Sequence, residues 1–369
     1  MTAVTRDPVE GNGPMTMTAD AAVPTRTAQR RPVRLPAQGI LLANVALVAV
    51  GTLVLNVDLF SRASLSTLTP VIGVMVLIAL GQAFIIGTGG IDLSIPATIT
   101  LVGIIVLKSA SGDNAALLKA IALALVVCLG IGLVNGLLVE VTRLDALVVT
   151  LATGQLIAGA TRMYRGPVLA VSNVPSDLSD FSRKSVGQVS VILLVALAVA
   201  ALVAIWLRYH TSGRRLAASS VARVAAENSG LAATRQRLVA WMTGSFIVGI
   251  GAVVLAGQIA TPDLTLGAPY LLTPIVAVVL GGAAISGGRV RPGATALGAL
   301  FLMLLEHILR VRGYSSGVAL AFQGLVLGVG LTLVATSKKF RWSPISAKRG
   351  GTPSAPSTQD PAMNQQNQE

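Results

Sequence analysis

Charge is scarce in this chain: Asp, Glu, Lys and Arg together make up 12% of its 369 residues, against an apolar share of 53%. A soluble domain carries about twice that proportion of charge on its solvated surface, so a water-soluble fold is excluded. Cysteine is reduced to Cys128, in the middle of an apolar run, which rules out an internal disulfide and a thiolate metal site and leaves a small packing residue. The two histidines, His210 and His307, are far apart and stand beside the ends of apolar runs, so they build no catalytic or metal cluster. No Gly-x-x-x-x-Gly-Lys-Ser/Thr loop is present to cradle nucleotide phosphates. Alternating strand patterns are also missing, which excludes a transmembrane barrel. No catalytic residue, cofactor or metal is therefore expected, and the chain by itself is not expected to be an enzyme.

Long apolar runs are abundant. They cover residues 40–57, 65–87, 93–107, 120–139, 146–160, 189–207, 238–260, 270–285, 294–305 and 318–335. A helix of about 20 residues spans the hydrocarbon core of a bilayer, so the expected fold is all-α, a polytopic membrane bundle of about ten helices, with about eight to eleven crossings possible. The runs starting at Leu93, Ala146 and Ala294 are short, which points to tilted, broken or re-entrant segments.

Lys and Arg total 28 against 15 acidic residues, a net charge of +13. Their placement argues for membrane orientation and against nucleic-acid binding. Arg26, Arg30, Arg31 and Arg34 precede the first run, the stretch from Arg208 to Arg237 separates the sixth from the seventh, and Lys338, Lys339, Arg341, Lys348 and Arg349 follow the last. By the positive-inside rule all three regions face the cytoplasm, an arrangement that ten crossings satisfy with both termini inside. Arg310 and Arg312 then fall outside, against the rule. Residues 1–38 and 338–369 lack apolar periodicity and are expected to be disordered tails flanking a permease domain at 39–337. A secretory or twin-arginine signal is the competing reading of Arg30 and Arg31, weakened by the absence of a clear cleavage site.

From Ala63 to Leu107 the one ionisable residue is Asp92, within Gly89-Gly90-Ile91-Asp92-Leu93-Ser94-Ile95-Pro96. A carboxylate near the membrane interior is costly unless it caps a helix, meets a cation or lines a wet path. Asp92 or Ser94 can cap a helix beginning near Leu93, with Pro96 in its first turn; direct solute contact is the alternative.

Gly81-Gln82-Ala83-Phe84-Ile85-Ile86, followed by Gly89 to Ser94, resembles the hallmark segment of ribose-type ABC transporter permeases. The likeness continues in order through Gly132 to Val139, Val149 to Thr153, Arg165-Gly166-Pro167-Val168, Ala277 to Gly282 and Ser286 to Arg289, covering roughly residues 60–335. It implies a pathway-forming subunit in the bacterial plasma membrane. The implied partners are cytoplasmic ABC ATPase subunits, an extracytoplasmic solute-binding protein and a second permease subunit, identical or related. It also implies that Gly89, Gly90, Asp92, Ser94, Gly281 and Gly282 are pathway or gate candidates, and that Arg165, Gly166 and Pro167 contact the binding protein.

The polar stretch 208–237 is helix-prone through Ala217–Ala233, and Ala225-Ala226-Glu227-Asn228-Ser229-Gly230-Leu231 is similar to the family's ATPase-facing segment. Glu227, Asn228, Ser229 and Gly230 are thus coupling candidates, although Glu227 replaces the family's usual Arg. Acidic residues common in the family before the second glycine-rich signature are absent around Leu271 and Thr273, which leaves the solute open. The main alternative is an ion-coupled secondary transporter using Asp92 and Glu306. For Glu306 itself, a pairing with Arg310 one helical turn later is the simpler reading.

Overall fold

The computed structural model describes residues 37–166, 173–315, 317–326 and 328. Both tails expected to be disordered lie outside the described residues, except that Ala37 and Gln38 begin α1, and Pro167 of the external loop also lies outside them. The helices are α1 (Ala37–Ala49, continued by a π turn Val50–Val54), α2 (Arg62–Gly87), α3 (Ile95–Ala110), α4 (Asn114–Glu140), α5 (Ala146–Arg165) and α6 (Ser176–Arg183). A two-residue hairpin, β1 (Ser185–Val186) with β2 (Val189–Ser190), leads into α7 (Val191–Tyr209). The rest are α8 (Thr211–Val221), α9 (Arg223–Asn228), α10 (Ala233–Ile259), α11 (Thr273–Leu280), α12 (Pro292–Val311) and α13 (Gly317–Val326). The fold is all-α, as the apolar runs require.

Among the described residues six helices, α2, α4, α5, α7, α10 and α12, are long and apolar enough to cross a membrane. The runs beginning at Ala146 and Ala294, which looked short, grow to full span length because α5 extends to Arg165 and α12 starts at Pro292 and runs to Val311. Four remaining runs form shorter apolar helices, among them α3, and residues 270–285 break at Gly281. Starts are set by side-chain caps: Ser61 Oγ accepts from Ser64 N (3.2 Å), Asp113 from Ala115 N (2.9 Å), Asp145 from Leu147 N (2.8 Å) and Ser190 from Ile192 N (3.2 Å). Each occupies one of the amide donors that a helix start leaves without an intrahelical acceptor.

Helix α2 is the axis of the bundle. It is apolar on every face and, but for exposed Val71, is buried from Leu68 to Gly87, with α7, α10, α11 and α12 around it. Glycine permits the closest approaches. A Cβ on Gly73 would lie 2.7 Å from the backbone nitrogen of Leu193, and one on Gly81 would lie 2.5 Å from the carbonyl oxygen of Gly244 on α10. Backbones that approach this closely gain dispersion contacts, the main attraction available between helices in lipid. Helix α4 instead presents Leu118, Leu123, Val126 and Val134 outward, an apolar surface that a bilayer solvates.

Candidate functional site

Two connections interrupt the apolar pattern, that between α2 and α3 (residues 88–94) and that between α11 and α12 (residues 281–291), and the fold brings them together. The amide of Gly288 donates to the carbonyl of Gly87 (3.0 Å). Gly89, at φ +86°, packs against the Ser286 carbonyl, where a Cβ would sit at 3.4 Å. The two glycine-rich motifs of the sequence are therefore one structural unit. Gly282, at φ +79°, terminates α11, while Gly281 is buried with the backbone of Ala294 and Thr295 against it.

Within the first connection, Asp92 is 3% exposed and Ser94 fully buried. Asp92 Oδ1 accepts from Ser94 N (2.7 Å) and Ser94 Oγ (2.5 Å), and Asn135 Nδ2 of α4 donates to Ser94 Oγ (3.0 Å). Ser94 holds the N-cap position of α3 without a side-chain bond to the helix, and the helix begins at Ile95 with Pro96 in its first turn. Asp92 thus orders the residue that precedes the helix, a tighter turn than direct capping of its first amides. Thr150 of α5 secures the other edge: its Oγ1 accepts from Leu93 N (3.0 Å), and its one proton is shared between the Ala146 carbonyl (2.7 Å) and the Ile91 carbonyl (3.1 Å). Asn135 and Thr150 belong to two of the segments singled out in the sequence, and their side chains explain why those segments matter locally.

A second polar cluster lies beside the same connection, and sequence reasoning missed it. Glu140, the last residue of α4, is 1% exposed. Its Oε2 accepts from Arg223 Nη1 (3.0 Å) and Arg237 Nε (2.6 Å), and its Oε1 from the indole nitrogen of Trp241 (3.4 Å). Arg237 also donates to the Thr88 carbonyl at the C-cap of α2. The Trp241 ring covers Gly90, whose Cβ, if present, would lie 3.0 Å from it. Removing one partner from a buried pair of this kind costs about 3–5 kcal/mol, because the remaining charge is left without compensation. A signal was available: Glu140 closes an otherwise apolar run from Ala120, and a carboxylate at such a place needs a cation.

The stretch 208–237 does not form one helix. It splits into α8 and the six-residue α9, broken at Ala222, before α10 begins at Ala233. Helix α9 buries Ala226 and exposes Val224, Glu227 and Asn228, followed by exposed Ser229 and Gly230. Glu227 pairs with Arg223 one turn earlier (3.0 Å), and Gly230 closes the segment at φ +77°. Glu306 pairs with Arg310 on α12, the simpler of its two readings. Arg165 and Gly166 end α5, away from the paired connections in sequence, and Gly166 is exposed at φ +59°. Among the described residues no group of three or more His, Cys, Asp and Glu side chains is placed to hold a metal.

Residues 64–335 match the family described as branched-chain amino acid transport system / permease component. The chain is 30% identical to the ribose import permease protein RbsC of Bacillus subtilis, over 76% of this chain and 87% of that one. It is 27% identical to the protein of the same name from Escherichia coli K12, over 79% and 91% of the two chains. It is 29% identical to the autoinducer 2 import system permease protein LsrD of Escherichia coli SMS-3-5, over 68% and 77%. No solved structure matches. With apolar helices built to cross the bilayer several times, the chain belongs to the branched-chain-type permease family, in its ribose-type ABC branch, and is a multi-pass inner-membrane protein.

Proposed function

We propose that this chain is the pathway-forming subunit of an ATP-driven importer for a monosaccharide or a similarly small polar solute. In this reading two permease subunits enclose the path, separate ATPase subunits dock from the cytoplasm, and an external binding protein delivers the solute. The observation that carries it is the exposed α9 segment, with Val224, Glu227, Asn228, Ser229 and Gly230 open to a partner while Arg223 ties it to the buried end of α4. A short helix that offers an apolar and a charged residue on its free side, yet is anchored to the bundle, suits a docking element that must pass on movement. The importer names of the relatives support the same reading.

The orientation proposed places α8, α9 and both tails in the cytoplasm, supported by the basic residues Arg208, Arg214, Arg215, Arg223, Arg235 and Arg237 of that region. The paired glycine-rich connections, with Gly89, Gly90, Asp92, Ser94, Gly281 and Gly282, are proposed as the gate. Helix α5 is the least apolar of the six long spans and leaves half of its residues exposed, including Gln155, which suits a face turned toward the path between two subunits. Arg165, Gly166 and Pro167 are proposed to meet the binding protein on the opposite side.

Proteoliposomes decide the matter. The complex co-purified with its ATPase subunits and binding protein should accumulate radiolabelled ribose, the probe chosen because relatives are named for it, when ATP is supplied on the ATPase side. The chain reconstituted alone should accumulate none under a proton or sodium gradient. Gradient-driven uptake by the chain alone would replace the importer reading with the secondary-transporter one.

A further inference from the structure

The Glu140 cluster touches both features that the proposed function separates: the exposed α9 segment and the gate. We propose that the Glu140 carboxylate is a relay that carries displacement of α9 to the α2–α3 connection, with Arg223 as its input arm and Arg237 and Trp241 as its output arms. The relay rests on the importer reading and assigns Glu140, Arg223, Arg237 and Trp241 as positioning residues.

On the input side, Arg223 is the first residue of α9 and spreads its guanidinium over three partners. Nε donates to exposed Glu227 (3.0 Å), Nη1 to Glu140 (3.0 Å) and Nη2 to Thr234 Oγ1 (2.9 Å). The helix buries Ala226 alone and is bounded by the breaks at Ala222 and at Ser229 to Ala232, so it can tilt as a unit that takes Arg223 with it. A planar guanidinium with several fixed donors resists rotation better than a lysine would, and therefore transmits direction as well as charge.

The output side shares an atom with the input. Arg237 Nε binds the same oxygen, Glu140 Oε2, that Arg223 binds (2.6 Å), and its Nη2 donates to the Thr88 carbonyl. Withdrawing Arg223 leaves that oxygen to Arg237 alone, which changes the pull on the C-cap of α2. The second oxygen holds the Trp241 indole, whose ring rests on Gly90. Gly90 has no side chain and its neighbour Gly89 is already at φ +86°, so this backbone can follow a shift of the ring. The cluster balances two carboxylates, Glu140 and Glu227, against two guanidiniums, Arg223 and Arg237, so rearranging it does not require burying net charge. A static fastening needs the buried pair but gives no reason for Arg223 to reach the exposed rim through Glu227.

The test is the ratio of ribose imported to ATP hydrolysed in proteoliposomes holding the full complex. Glu140→Gln and Arg223→Gln should each lower that ratio tenfold or more while ATP hydrolysis continues, and the double variant should be no worse than the single ones because both lie on one path. Trp241→Phe keeps the ring on Gly90 and removes only the N–H, and should lower the ratio by less. A static fastening predicts fewer assembled complexes with the ratio per complex unchanged, and that outcome overturns the relay; so do single effects that multiply in the double variant. If Glu140→Gln does not assemble, Arg223→Gln at the partly exposed rim decides by the same criterion. Absence from the unsubstituted complex of both ATP-driven ribose uptake and ATP hydrolysis stimulated by the binding protein would sink the importer reading and the relay with it, whereas normal uptake with unchanged ratios in the variants sinks the relay alone.

Discussion

Gly81→Ala adds one methyl group at the closest approach of α2 and α10. Its carbon would lie 2.5 Å from the Gly244 carbonyl oxygen, 2.6 Å from Val248 Cγ2 and 3.2 Å from Val248 N. Ordinary contacts of carbon fall near about 3.5 Å, so the two backbones must part by roughly 1 Å. Val248 can turn away, but the Gly244 carbonyl is fixed in the middle of α10 and cannot. Overpacking of this sort costs about 1–3 kcal/mol, and the higher helix propensity of alanine returns up to about 1 kcal/mol. We expect a net loss of about 1–2 kcal/mol, or about 2–4 °C of unfolding temperature at roughly 2 °C per kcal/mol. Gly130→Ala has the opposite sign, because Gly130 is exposed on α4 with nothing within 4 Å of the added carbon. It should gain about 0.5–1 kcal/mol and unfold about 1–2 °C higher. Cys128 supplies the assay: it is the sole cysteine, fully buried, and lies against Gly249 of α10, so a fluorogenic maleimide reacts with it only after α4 and α10 separate. Heating the detergent-solubilised protein with that reagent yields both transition temperatures. A Gly81→Ala protein that unfolds at or above the unsubstituted one, or two variants shifting down together, would refute the reasoning.

Gln82 is fully buried on α2, and neither of its amide atoms finds a hydrogen-bond partner among the described residues; Gln82→Leu should therefore raise the unfolding temperature by about 2 °C for each kcal/mol of desolvation relieved, and a fall would reveal a polar partner. Thr150→Val deletes the bonds that hold Leu93 N and the Ile91 carbonyl and should cost about 1–3 kcal/mol by the same thermal assay. Arg310→Ala removes an exposed i,i+4 pair with Glu306 and should shift stability by no more than about 0.5 kcal/mol, which the thermal assay would register as no more than about 1 °C. Gly230→Pro forces φ to about −65° where the chain needs +77° and removes an N–H bonded to the Glu227 carbonyl (3.0 Å); ATP-driven ribose uptake should be lost while membrane insertion, followed by immunoblot of the membrane fraction, persists.

The helices were legible in the sequence because a bilayer tolerates few alternatives to long apolar runs: the runs beginning at Leu65 and Ala120 lie inside α2 and α4, and those beginning at Val189 and Leu238 coincide with α7 and α10 except for Val189, Ser190 and Ala260 at their edges. Their ends were less legible. Arg162 and Arg165 extend α5 beyond its apolar run, since a charge in the last turn of a helix reaches out of the bilayer without breaking it. The continuous helix expected through Ala217–Ala233 breaks at Ala222, where tertiary contacts of Arg223 and buried Leu216 override local propensity. Asp92 stood out because it is alone in a long apolar stretch. Glu140 did not, because a charge at the end of a run reads as a boundary until Arg223 and Arg237, distant in sequence, are seen to converge on it.

The hydrogen bond from Gly288 to Gly87 has a consequence for biogenesis. Four of the six long spans, α4, α5, α7 and α10, lie between residues 87 and 288, and the partner of Gly87 leaves the ribosome only after α10 and α11 have been made. The connection around Asp92 must therefore wait in the membrane with that carbonyl without its final donor while most of the chain is inserted. Fragments ending before α11 should be held by the insertion machinery or degraded, since their central connection has no second half to close upon.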